Sequence, residues 1–199
     1  MKRLKEITTV YYEVKKSKFI GYLVPIENEE QAKLMIQKIK EEHPKATHHC
    51  VAYRIKSANV VRFDDDGEPQ HTAGKPMLSV ILAQDLDHAL SVVVRYYGGV
   101  QLGRGGLVKA YTFGVASAIS EATLITLQEI FDLSFDCPFD YAPQIEAYAH
   151  HLQAKVNTNY NHQSVHFKIS LQSLNGVVES LNTLSKGTLT NIQKQSYFI

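Results

Sequence analysis

The sequence predicts an α+β protein of two domains, residues 1–127 and 128–199, and three observations predict it. Runs rich in Val, Ile, Tyr and Phe with period-two alternation recur between stretches of helical period. A cluster of five glycines, Gly98 to Gly106, separates a Val-rich strand from a long segment of small apolar residues. After Thr126 the composition shifts: all five arginines (Arg3, Arg54, Arg62, Arg95, Arg104) lie before that point. Net charge is +3 over residues 1–127 and −2 over 128–199.

Residues 4–14 and 17–26 alternate and read as two strands joined by a polar turn, with Lys15-Lys16-Ser17-Lys18 between them. Asn28 caps a helix, with Gln31 as its capping-box partner. Ala32, Met35, Ile36 and Ile39 then form one apolar face, and Pro44 closes the segment. Thr47 to Lys56 is a strand. Asn59 to Pro76 is mostly polar and reads as a loop, with Asp64-Asp65-Asp66-Gly67 as a turn signal. Met77 to Ala83 makes a short helix with Pro76 in its first turn. His88 to Tyr97 is a strand, and the helix after the glycines runs to about Thr123 with Leu107, Ala110, Tyr111, Gly114, Ala118 and Ala122 on one face.

In the second domain, Glu129 to Asp136 is a strand and Asp140 caps a helix holding Ile145, Tyr148, Ala149 and Leu152. Lys155 to Tyr160 and Ser164 to Leu171 form a hairpin. Asn175 begins a helix that Gly187 stops, and Leu189 to Gln195 is the last strand. The order β-α-β-β-α-β is the ferredoxin-like arrangement.

The chemistry concentrates at R-Y-Y-G-G-V-Q-L-G-R-G-G-L-V-K-A-Y, residues 95–111. A strand, a glycine turn (Gly98, Gly99, Gly103, Gly105, Gly106) and a helix N-terminus leave free N–H groups and a positive dipole end. Arg104, Lys109, Lys75 and Arg95 add positive charge, so an anion is favoured, and Tyr96 and Tyr97 could stack on bases. The competing reading is structural: the glycines make a tight crossover and the tyrosines pack on the sheet. A second candidate segment is the loop with Asp64, Asp65, Asp66, Gly67, Glu68, His71 and Thr72. It reads either as a solvated or capping acidic turn or as a partner-binding loop. A calcium loop needs alternating ligands and a distal Glu, which this segment lacks.

Several classes are excluded. The window Gly98 to Gly105 fits G-x-x-x-x-G, but Arg104 and Gly105 replace the Lys and the hydroxyl residue that nucleotide hydrolysis requires. There is no G-x-S-x-G, no H-E-x-x-H and no zinc-type cysteine pair. His48 and Cys50 share a strand face, but two ligands do not make a metal site. The pair His150-His151 reads as solvated. Apolar content of 44%, charged content of 21% and a net charge of +1 over 199 residues are ordinary for a soluble protein. Cys50 and Cys137, far apart, suit a reducing cytosol. No segment reads as a signal peptide or membrane span. No catalytic residue, metal or cofactor is therefore expected, and the location expected is cytoplasmic.

Taken together, D-D-D-G-E-P at 64–69, T-A-G-K-P at 72–76, R-Y-Y-G-G-V-Q-L-G-R-G-G-L at 95–107 and K-A-Y at 109–111 strongly resemble the IMPACT/YigZ family. K-K-S-K-F-I at 15–20 and T-H-H-C-V-A-Y-R at 47–54 resemble that family's opening strands. The resemblance implies a first domain similar to the second domain of ribosomal protein S5 and to domain IV of elongation factor G. It implies a ferredoxin-like second domain similar to that factor's domain V. Eukaryotic members regulate translation by competing for the co-activator of an amino-acid-starvation kinase.

The function expected is a non-catalytic cytosolic protein that binds RNA or a ribosomal component and modulates translation. The partners expected are the ribosome, RNA or a protein of the translation machinery, and no membrane. Two alternatives stay open: a protein-binding regulatory adaptor, and an enzyme on a phosphorylated or anionic small molecule with His71 as acid/base and Arg104 as clamp.

Overall fold

Alternation in the first part of the chain builds an antiparallel five-stranded sheet, seen in a computed structural model that describes residues 1–199. The chain divides into two compact units, Met1–Thr126 and Leu127–Ile199. The first contains β1 (Lys2–Leu4), β2 (Thr8–Val14), β3 (Ser17–Pro25), α1 (Glu29–Glu42), β4 (His48–Ile55), β5 (Val60–Asp64), α2 (Gly74–Ala83), β6 (Ala89–Tyr96), α3 (Arg104–Glu121) and β7 (Leu124–Thr126).

The sheet order is β2-β3-β6-β4-β5, so the Val-rich β6 is central and buried on both faces. Ala89 and Val93 pack with Phe19, Cys50 and the inner faces of α2 and α3. Leu90, Val92 and Val94 pack on the opposite side with Ile39 and Ala32 of α1. Each fully buried Val or Leu contributes about 1.5–3 kcal/mol, which explains why an unbroken apolar run sits here. Asn28 caps α1, its side chain accepting from Gln31 N at 2.8 Å. The Gln31 side chain reaches back to Glu27 N at 2.7 Å, one residue before the expected Asn28.

Two segments of the first unit also depart from expectation. The strand foreseen over 4–14 is broken at residues 5–7. Lys2–Leu4 pairs with Leu124–Thr126 whereas Thr8–Val14 pairs with β3, and one continuous strand cannot serve both partners. The polar segment 59–76 opens with β5, which pairs with Val51–Ile55. Val60, Val61 and Phe63 carried that signal, but as an edge strand β5 leaves Val61 and Phe63 40% and 42% exposed.

The second unit contains β8 (Glu129–Cys137), α4 (Ala142–His151), β9 (Lys155–Tyr160), β10 (Val165–Leu171), α5 (Val177–Leu184) and β11 (Thr190–Phe198). Its antiparallel sheet has the order β11-β8-β10-β9. The stacked rings of Phe135 and Phe167, 5.3 Å apart, centre a core with Leu133, Ile145, Ile169 and Leu181. Asp140 does not cap α4: it lies in a 3-10 turn, Phe139–Tyr141, and the helix begins behind it at Ala142. Likewise α5 starts two residues past Asn175, after Gly176 in the left-handed region. Its end is closed by Gly187, whose N–H donates to Asn182 O at 2.8 Å. His150 and His151 are exposed in the last turn of α4. No helix of either unit is long and apolar enough to cross a membrane.

Candidate functional site

The carboxylates of the acidic turn are each held by backbone N–H groups. Asp64 Oδ1 accepts from Asp66 N at 2.8 Å. Asp66 accepts from His49 N at 2.6 Å and from Lys40 Nζ at 3.3 Å. Asp65 does most: Oδ1 accepts from Ala73 N and Gly74 N at 3.0 and 2.8 Å, and Oδ2 from His71 N at 2.7 Å. The first turn of α2 is thus capped by a carboxylate placed far upstream, which also complements the helix dipole. Thr72 is buried, its hydroxyl donating to Pro69 O at 2.6 Å. Gly67, at φ 86°, turns the chain so that Glu68 points inward.

Glu68 enters a buried polar cluster. Its Oε1 accepts from Arg95 Nη1 at 2.5 Å and from the Tyr111 hydroxyl at 2.7 Å. Arg95 Nη2 donates to Ser17 Oγ at 3.2 Å, and Ser17 Oγ also accepts from Gly98 N at 3.2 Å. The guanidinium lies 5.6 Å from the Phe19 ring and 5.4 Å from the Tyr97 ring, while its Nε has no partner. Burial, then Cys50 and Glu68, pushes the Tyr111 hydroxyl up, so it stays protonated and donates. Burial likewise raises the Cys50 thiol, whose Sγ donates to Asp65 O at 3.1 Å. His48 Nδ1 donates to Asp66 O at 2.8 Å, which in the neutral ring leaves Nε2 as an acceptor, 3.8 Å from Glu68.

Above this cluster opens a cleft of about 530 Å³, walled by Thr47, His48, Tyr97, Gln101, Arg104 and Leu107, with Arg95 and Glu68 beneath. Thr47 Oγ1 holds the Tyr97 backbone N–H at 3.0 Å. At the rim stands the N-terminus of α3, where Gly103 precedes the helix and no side chain caps it. Arg104 Nη2 donates to Gln70 O at 2.9 Å, tying the helix start to the neighbouring loop.

The glycines there have different reasons. A Cβ at Gly98 would lie 2.0 Å from the Lys16 carbonyl, so packing excludes one. Gly99 and Gly103 have φ of 81° and 72°, which favours glycine. A Cβ at Gly106 would press on Leu102 Cβ at 3.1 Å. Gly105 is different: its φ is not positive, and a Cβ would meet nothing within 4 Å.

The cleft brings together Arg95, Tyr97, Gly103 and Arg104 from the glycine segment and Glu68 from the acidic loop. The other expected residues stand elsewhere. Tyr96 faces the α1 side, its hydroxyl 3.0 Å from His43 Nδ1, because neighbouring strand residues point to opposite faces. Lys75 and His71 border a separate groove between α2 and α3. Lys109 is exposed on α3 but does not line the cleft. Arg95 is no free cation, being committed to Glu68. Sequence reasoning missed Ser17, Thr47, His48 and Tyr111 as site residues. The alternation of His48 and Cys50 was the one visible sign, and it could not show what lay opposite.

Against known proteins, the pattern described as "Impact N-terminal domain" matches residues 15–119, which contains every wall of the cleft. IMPACT family member YigZ of Escherichia coli (strain K12) is 40% identical over 156 residues, 76% of this chain and 76% of that protein. A solved structure described only as a hypothetical protein is 36% identical, covers 95% of this chain and 94% of its own, and superimposes with a TM-score of 0.60. The two-domain translational regulator Yih1 aligns at 28% identity over 58% of this chain and 46% of its own, with a TM-score of 0.35, too low to bear on the fold. The matched span and the near full-length relatives agree on one assignment: the chain belongs to the IMPACT/YigZ family.

Proposed function

We propose that this protein regulates translation from the cytosol, without catalysis, by binding RNA or a ribosomal component. A phosphate is held at the N-terminus of α3, with Arg104 beside it. Gly105 carries this reading. Neither backbone conformation nor packing requires glycine there, and glycine is less favourable than Ala within a helix because it loses more backbone freedom on folding. A bare backbone at an uncapped helix start is what close approach of an anion from outside requires. The translational role is supported by family membership, since eukaryotic members act there. The same reading takes Met1–Thr126 as similar to the second domain of ribosomal protein S5. It takes Leu127–Ile199 as ferredoxin-like, which the order β11-β8-β10-β9 supports.

The adaptor alternative loses its handle, because the carboxylates of the acidic turn already serve backbone N–H groups. The enzyme alternative loses its pairing, because His71 does not line the cleft that holds Arg104. The test is co-sedimentation with ribosomes across a salt series, using the natural chain, Arg104→Ala and Gly105→Ala. Phosphate contacts predict binding that weakens steeply with salt and falls in both variants. No binding at low salt, or binding indifferent to both substitutions, sinks the proposal.

A further inference from the structure

We infer that the cleft receives one nucleotide at a time, its phosphate on the N-terminus of α3 and its base against Tyr97. This rests on the phosphate reading above and narrows it to a ligand class.

The first support is the buried guanidinium beneath the cleft. Arg95 is 4% exposed, two of its nitrogens are committed to Glu68 and Ser17, and Nε has no partner. Buried guanidinium N–H groups are seldom left unsatisfied, and this side chain forms part of the floor of the cleft. The second is Tyr97. Unlike Tyr96, it faces the cleft and stays 47% exposed, with the guanidinium lying 5.4 Å from its ring. An aromatic ring held this way is a platform for a base, and stacking of that kind accepts any base. The third is scarcity. A protein that tracks a strand lines its groove with many cations, but Lys75 and Lys109 stand away from this cleft and leave Arg104 as its one exposed cation. One helix N-terminus and one exposed cation suit one phosphate. A volume of about 530 Å³ holds a nucleotide and not a duplex.

A nucleoside monophosphate comes from two sources, the free molecule or the phosphorylated end of an RNA strand. Calorimetric titration of the full chain separates them. The ligands are the four ribonucleoside monophosphates, ribose 5-phosphate, inorganic phosphate, and a hexaribonucleotide with and without its 5′-phosphate. We expect at least one monophosphate to bind about tenfold or more tightly than ribose 5-phosphate. Tyr97→Ala should remove that ratio, Tyr97→Phe should keep it within about twofold, and Gly105→Ala should weaken every phosphate ligand. The phosphorylated hexamer binding more tightly than the monophosphate assigns the RNA end, and the reverse assigns the free nucleotide.

If monophosphates bind no better than ribose 5-phosphate, or if Tyr97→Ala leaves the ratio intact, the nucleotide inference is overturned. The phosphate reading then still stands provided that ribose 5-phosphate binding depends on Gly105. Absence of binding by every phosphate compound and by RNA overturns both.

Discussion

Arg95 donates to Glu68 at 2.5 Å, and neither side chain is more than 5% exposed. This buried pair ties β6 to the loop after β5, and Tyr111 of α3 closes on the same carboxylate oxygen. Removing one partner leaves the other charge uncompensated in a dry interior, which costs about 3–5 kcal/mol. Glu68→Ala should therefore shift chemical denaturation of the first unit by about that amount. The double variant Glu68→Leu with Arg95→Met should recover more than half of the loss. A double variant no better than the single one would show that shape, not charge pairing, dominates here.

Asp65 is the cap of a helix that begins nine residues after it. Asp65→Ala removes the acceptor for three N–H groups, two of them on buried residues. The expected cost is about 1–2 kcal/mol. Hydrogen exchange should localise it, with amides of His71, Ala73 and Gly74 losing protection before the sheet does. Unchanged protection at those amides contradicts the assignment.

Gly105 and Gly103 should respond to alanine in opposite ways. Gly105→Ala meets no neighbour and needs no left-handed backbone, so it should raise stability by ~0.5–1 kcal/mol. Gly103→Ala must adopt a φ of 72° and should lower stability by about 1 kcal/mol or more. Thermal melts of the two variants check this. A stabilised Gly105→Ala that has lost ribosome binding would separate function from folding in one substitution.

Acid should loosen the second unit through Asp132. Hydrogen bonds from Lys168 and Ser170, at 2.8 and 2.6 Å, hold its carboxyl below the usual carboxylate range. A carboxyl with a lowered folded value stabilises the fold above its unfolded value, about pH 3.9. That contribution is lost as pH falls through the folded value. NMR titration below pH 4 should show amides of β8 and β10 becoming less protected, and Asp132→Asn should flatten that dependence. Equal slopes in both proteins would refute it.

Cys50 and Cys137 should be inert while the chain is folded. Both are buried, and burial pushes both thiols up, away from the reactive thiolate. Alkylation near pH 8 should label neither in the native protein and both in urea. Rapid native labelling of Cys50 would mean that the turn holding it opens readily.

Periodicity made most elements visible because a half-buried strand and an amphipathic helix announce their buried faces. Ala32, Ile39 and the β6 valines are instances, and each packs as its spacing required. Edges were less legible. Residues 60–64 are exposed enough to tolerate Arg62 and Asp64, so polarity hid a strand whose hydrogen bonds come from the backbone. The site was half legible. Glycines and charges near one another in sequence drew attention to residues 95–111, but a run of neighbours on a strand divides between two faces. Tyr96 and Tyr97 separated for that reason. His48 and Glu68 reach the cleft, and Ser17 the cluster beneath it, only because distant parts of the chain fold together, and nothing local marks such a meeting.

The short pairing of β1 with β7 places Leu4 opposite Leu124 and Lys2 opposite Thr126. The first unit therefore leaves from the same corner at which it begins. A few residues could join these ends without disturbing the five-stranded sheet, and new ends could be opened in an exposed turn such as Lys15-Lys16. By the same geometry, this unit could be carried whole inside a surface loop of another protein, entering and leaving at one point as an inserted cassette.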